Sequence, residues 1–276
     1  MESANNSIDH HSPNDPPWNG WVALGVWAAS VLLILLLPNL FVLPYLMSQQ
    51  VELTNAEAIK DFVLSDRTAV ILQLLPVILA HVLTLVLAWI VVTRMKRYSF
   101  REMLGWDMNG FKVWHGVLIF IAFYGVAVGL TAVFGDVDND FEKMIRSSRA
   151  AVFLVAFFAT VTAPLVEEVV YRGLLYSAFQ RRFGMVLGVI FVTLIFTAVH
   201  VPQYSQANVP DYATVITLLL LSLALTLVRV WTGNLLPCIV LHTIINGIQS
   251  ALLIAEPYLP TGDMLPEPGA IFRFWT

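Results

Sequence analysis

The stretch VWHGVLIFIAFYGVAVGLTAVF, Val113–Phe134, contains no Asp, Glu, Lys or Arg. A helix that crosses a bilayer needs about 20 consecutive apolar residues, and this stretch meets that length. Others do the same. Val22–Leu46 qualifies, with Pro38 and Pro44 expected to kink or end it. Ala69–Val92, Gly184–His200, Ala213–Val228 and Leu235–Ile254 complete a regular set. Ala150–Gln180 is anomalous: it is too long for one straight span and too short for two, and Pro164 inside it suggests a break or a new helix start. The expectation is an all-α polytopic transmembrane helix bundle of seven spans, or eight if Pro164 divides that segment.

Composition agrees. The chain has 276 residues, of which 58% are hydrophobic and 12% charged, and its mean hydropathy is +0.76. Soluble domains carry about 25% charged residues. A cytosolic globule and a disordered chain are both excluded. Continuous apolar runs argue against a transmembrane β-barrel, whose strands alternate. A net charge of −4 gives no case for nucleic acid. Cys238 is the single cysteine, which excludes an intrachain disulfide and a cysteine-rich zinc site.

Residues 1–21 read as a polar, acidic N-terminal tail, retained rather than cleaved because a signal peptide wants a basic start. Residues 22–149 hold the N-terminal spans, 150–255 the polar second half, and 256–276 a loose C-terminal tail rich in Pro and Gly. Arg94, Lys96, Arg97, Arg101 and Lys112 crowd one loop, which places it in the cytoplasm. Arg181, Arg182 and Arg229 share that side if Ala150–Gln180 crosses once, and Asp136, Asp138 and Asp140 lie opposite. Trp89, Trp106, Trp114 and Trp231 fit as interface anchors at the basic boundary. Gly125/Gly129 and Gly184/Gly188 have the GxxxG spacing that lets helices approach closely.

The first three spans have only His81 and His115 as ionisable groups. His115 sits near a span end and reads as an interface residue. His81 is central and reads as a helix-to-helix hydrogen-bonding group. The second half differs. Glu167, Glu168 and Arg172 lie within Ala163-Pro164-Leu165-Val166-Glu167-Glu168-Val169-Val170-Tyr171-Arg172-Gly173. Three unpaired charges near mid-bilayer would cost on the order of 8–10 kcal/mol. Glu168 and Arg172 are four apart and can pair. Glu167 points about 100° away from Glu168 and is the freer carboxylate, suited to act as a general base. A purely structural ion cluster is the competing reading.

His200 closes Phe196-Thr197-Ala198-Val199-His200, and His242 and Asn246 share one helix face four residues apart. Glu167 lies roughly 22 Å of helix before the turn at Arg181–Gly184, and His200 roughly 24 Å after it, so an antiparallel hairpin brings them level. His242 and Asn246 lie roughly 10–17 Å from the turn before their helix, a looser fit.

The three motifs, EExxxR at Glu167–Arg172, FxxxH at Phe196–His200 and HxxxN at His242–Asn246, resemble in order and separation the CPBP (Abi) family of intramembrane proteases, which includes the type II CAAX prenyl endopeptidases. The resemblance covers about Ala150–Ile254. It implies a helical bundle that hydrolyses peptide bonds. Glu167 and His200 would activate water, His242 and Asn246 would stabilise the oxyanion, and Glu168 and Arg172 would support them. It also implies a metal-free glutamic protease. The residues leave a zinc version open: HExxH is absent, yet Glu167, His200 and His242 could form a His₂Glu site. Expected partners are a peptide or membrane-protein substrate and the lipid bilayer, in an integral multi-pass protein of a bacterial cytoplasmic membrane. A non-catalytic immunity or scaffold protein is the rival outside enzymology. A proton-coupled transporter would need ionisable groups in two related halves, whereas here they gather in one.

Overall fold

The computed structural model describes residues 11–135, 140–206 and 209–258. Ten helical rods follow in order: α1 Gly20–Ser48, α2 Ala56–Ser65, α3 Arg67–Thr93, α4 Phe100–Leu104, α5 Val113–Phe134, α6 Asp140–Arg146, α7 Arg149–Phe183, α8 Met185–His200, α9 Tyr212–Thr232 and α10 Leu236–Ala255. A two-residue ladder pairs Ser205–Gln206 with Val209–Pro210. Seven rods, α1, α3, α5, α7, α8, α9 and α10, are long and apolar enough to cross a membrane. The protein is an all-α polytopic bundle, as the apolar runs required.

The structure decides how the prolines are accommodated. Neither Pro38 nor Pro44 ends α1, which runs through both to Ser48. Prolines are tolerated in apolar helices because local adjustments and side chains satisfy the freed backbone groups. Pro164 likewise does not divide the long segment, and α7 is one continuous rod. It absorbs the proline by changing its winding: Phe158–Thr162 and Glu168–Tyr176 are π-helical, with Ala163–Glu167 α-helical between them. The ring of a mid-helix proline clashes with the carbonyl four residues back. A wider turn relieves that clash.

The core wraps α7. Every residue from Glu168 to Tyr176 is buried, and Val166, Val169, Leu174, Phe196, Leu218 and Trp18 belong to the same apolar cluster. Gly184, in the left-handed region at φ 86°, makes the sharp turn from α7 into α8. A Cβ on Gly188 would meet Gln180 N at 3.1 Å, so this glycine lets the hairpin close. Gly125 and Gly129 serve no such purpose: each is exposed, with nothing within 4 Å of where a Cβ would stand. Their expected close packing is absent because that face of α5 meets no other rod among the described residues.

Arg94, Arg181 and Arg229 share one end of the bundle. Arg229 donates to Pro13 O at 2.8 Å and Asn14 Oδ1 at 2.9 Å. Arg181 binds Pro16 O, and Arg94 binds Pro17 O. Residues 11–19 therefore form a strap across three helix ends rather than a tail, with Trp18 buried and its Nε1 donating to Leu174 O at 3.1 Å. At the same boundary, Trp114 and Trp231 are exposed and flank His115 at ring separations of 3.8 and 4.9 Å. His115 Nδ1 accepts from Lys112 N at the start of α5. The C-terminal stretch also begins in order: Glu256 pairs with Arg146 at 3.0 Å, and Tyr258 Oη accepts from Arg149 at 2.6 Å. Asp136, Asp138 and the rest of the expected C-terminal tail, 259–276, lie outside the described residues.

Candidate active site

Glu168, Arg172 and His242 are fully buried, and α7 holds the first two. Arg172 Nη1 donates to Glu168 Oε1 at 2.9 Å, one helical turn away. His242 Nδ1, from α10, reaches the same oxygen at 2.8 Å. A carboxylate oxygen bound to a guanidinium accepts, so this imidazole nitrogen carries the proton. The rest of the guanidinium is held by α9: Nη2 donates to Ser222 Oγ at 2.8 Å and Ser222 O at 3.0 Å, and Nε to Thr226 Oγ1 at 3.3 Å. Phe196 of α8 closes one side, with the guanidinium carbon 4.9 Å from its ring centre. Three helices thus satisfy a charge that lipid could not.

Glu167 stands outside this sealed layer. Its side chain retains 24% exposure, against none for Glu168. Its Oε2 lies 4.0 Å from His242 Nε2. One imidazole therefore spans the two carboxylates, with Nδ1 on the buried one and Nε2 toward the open one. The looser register estimated for His242 from helix length still puts its Nδ1 in hydrogen-bond contact with Glu168.

His200 is half-buried at the end of α8. Its Nδ1–H donates to Phe196 O at 2.7 Å, since a carbonyl can only accept. In the neutral ring Nε2 then keeps its lone pair. Among the described residues His200 makes no hydrogen bond to Glu167. Tyr171, one turn after Glu167, meets Phe196, one turn before His200, at a ring separation of 5.0 Å, so α7 and α8 pack together within a turn of both residues.

Asn246 follows His242 by four residues on α10. Its Nδ2 donates to Ala159 O, in the first π-helical turn of α7, at 2.8 Å. Its Oδ1 is buried and meets no partner among the described residues. Nearby, Ser250 accepts from Thr160 at 3.0 Å and His81 Nδ1 lies 2.8 Å from Thr162 Oγ1. His81 thus makes the helix-to-helix bond expected of it. The bonds of Arg172 to Ser222 and Thr226, and the role of Ala159 O, escaped the sequence reading. The Ser222–Thr226 spacing of four on an apolar helix was the available signal; a backbone carbonyl leaves none.

Residues 149–248 match the family model for Rce1-like proteins, described as type II CAAX prenyl endopeptidase Rce1-like. This segment belongs to that family. The Rce1-like segment contains all three motifs, from Glu167 to Asn246, and bears out the resemblance drawn from them. The chain matches no curated protein and no solved structure. Within the Rce1-like segment, as elsewhere among the described residues, no three His, Cys, Asp or Glu side chains converge as a metal ion would require.

Proposed function

We propose that the chain is an intramembrane endopeptidase in which Glu167 and His200 activate a water, and His242 and Asn246 stabilise the oxyanion. The observation that supports this most is the division between two adjacent carboxylates. Glu168 is sealed and holds both Arg172 and His242 on one oxygen, whereas Glu167 is open and lies opposite an imidazole that Glu168 orients.

The reaction follows from these positions. A peptide segment approaches the exposed side of Glu167. Glu167, assisted by Nε2 of His200, takes one proton of the water, whose oxygen attacks the scissile carbonyl carbon. The carbonyl oxygen gains the negative charge. Asn246 offers it an Nδ2–H. His242 offers Nε2–H in its doubly protonated form, with Glu168 as its counter-charge. Such donors contribute on the order of 10²–10³ each in rate. The C–N bond then breaks, and the leaving nitrogen takes the proton held by Glu167 or His200. Arg172 and Glu168 position His242. No step uses a metal.

The test is cleavage of a peptide library by purified protein, with and without a strong chelator. Wild type is expected to cleave in both conditions and Glu167→Gln in neither. Activity lost on chelation and restored by zinc would replace the metal-free chemistry. No cleavage by wild type, with Glu167→Gln indistinguishable from it in cells, would favour the scaffold role.

A further inference from the structure

Proline is the costliest residue for a helix interior, yet Pro164 sits three residues before Glu167 within a continuous rod. Its effect on neighbouring carbonyls can be followed bond by bond. Ala163 N–H donates to Phe158 O, five residues back. An α-helix would have sent that N–H to Ala159 O. The next π-type donor for Ala159 O would be the N–H of residue 164, and proline has none. Ala159 O is therefore passed over by both windings. A carbonyl buried at membrane depth must find another donor. It finds Asn246 Nδ2 at 2.8 Å.

The packing around this bond is built for close approach. Gly247, next to Asn246, faces the same π-helical turn, and a Cβ there would lie 3.3 Å from Thr160 Cγ2. Ser250, one turn further, bonds to Thr160. The carbonyl also fixes the orientation of the amide. Only Nδ2 can face it, which leaves the second N–H of Asn246 for another acceptor.

We propose that Pro164 is a positioning residue: by withholding an N–H it frees Ala159 O to orient the Asn246 amide. The proposal rests on Asn246 serving as an oxyanion donor, and it deepens that reading by naming what holds the donor in place. Pro164→Ala supplies a new N–H that competes for Ala159 O, and the rod gains a residue better suited to a helix.

Two readouts test it with the full chain in detergent. The first is kinetic, on a peptide that wild type cleaves. Pro164→Ala is expected to lower kcat about tenfold with KM unchanged, Asn246→Ala to lower it on the order of 10²–10³-fold, and the double variant to match Asn246→Ala. The second is the unfolding equilibrium of the same four proteins. Because the two changes remove one bond, their effects are expected to couple by at least about fivefold in the unfolding constant. Gly247→Ala, which pushes α10 from the turn, is expected to lower kcat in the same way and guards against misfolding of the proline variant. Wild-type kcat in Pro164→Ala, or independent effects in both cycles, overturns the proposal. Coupled unfolding with kcat unchanged in Asn246→Ala would sustain the bond and remove the catalytic role of Asn246, which separates the two failures.

Discussion

Helices α5 and α9 are close in length and both are strongly apolar, yet they do opposite work. Only Gly116, Phe123 and Ala127 of α5 are buried, while Leu118, Ile121 and Val126 face outward. On α9, Thr214, Leu218, Ser222, Leu225, Thr226 and Arg229 are all buried. The difference lies in a few hydroxyls. Hydropathy decides which segments enter the bilayer; small polar side chains decide which of them face protein. Ser222 and Thr226 would be wasted toward lipid, and here they hold Arg172.

The contrast can be broken by substitution. Arg172→Ala should give the largest effect. It strands Glu168 as a buried charge, and breaking such a pair costs about 3–5 kcal/mol; unfolding in detergent should show that loss together with loss of cleavage. Glu167→Gln should lower the cleavage rate on the order of 10²–10⁴-fold while the unfolding transition stays in place, because Glu167 is half-open and carries no buried pair. Ser222→Ala removes one bond to a charged donor and should destabilise by about 1.5–3 kcal/mol. Gly188→Val, forced against the backbone of Gln180, should destabilise by about 1–3 kcal/mol. The lipid-facing changes Gly125→Ala and Leu118→Ala should stay within about 0.5 kcal/mol. A large loss in either of these last two would show that α5 is covered by another molecule, and would erase the contrast with α9.

Much of the fold was legible because membrane spans announce themselves by length. Val113–Phe134 matches α5 end to end, and the other spans begin and end within a few residues of their apolar runs. The fourth span, α7, was ambiguous because periodicity does not distinguish a bond four residues back from one five back. The π-helical turns of α7 could not be read from side chains alone. The Gly125/Gly129 motif misled for a related reason: spacing shows that close approach is allowed, not that a neighbour is there, whereas Gly188 does meet Gln180. Of the site, the residue types and their spacing carried Glu167, Glu168, Arg172, His200, His242 and Asn246. The contacts that orient them were hidden in a backbone carbonyl at Ala159 and in hydroxyls of α9. The strap at residues 11–19 was hidden too, since its acceptors are main-chain oxygens that any residue would supply.

The central claim is that side chains from α7 and α8 act together on one water. A double-substitution cycle on cleavage rate measures this directly, because groups acting as a unit are strongly non-additive. Glu167→Gln and His200→Ala are each expected to lower the rate at least on the order of 10²-fold, and the double variant to be no slower than the worse of the two. Multiplied losses in the double variant, or a wild-type rate in either single one, would contradict the account.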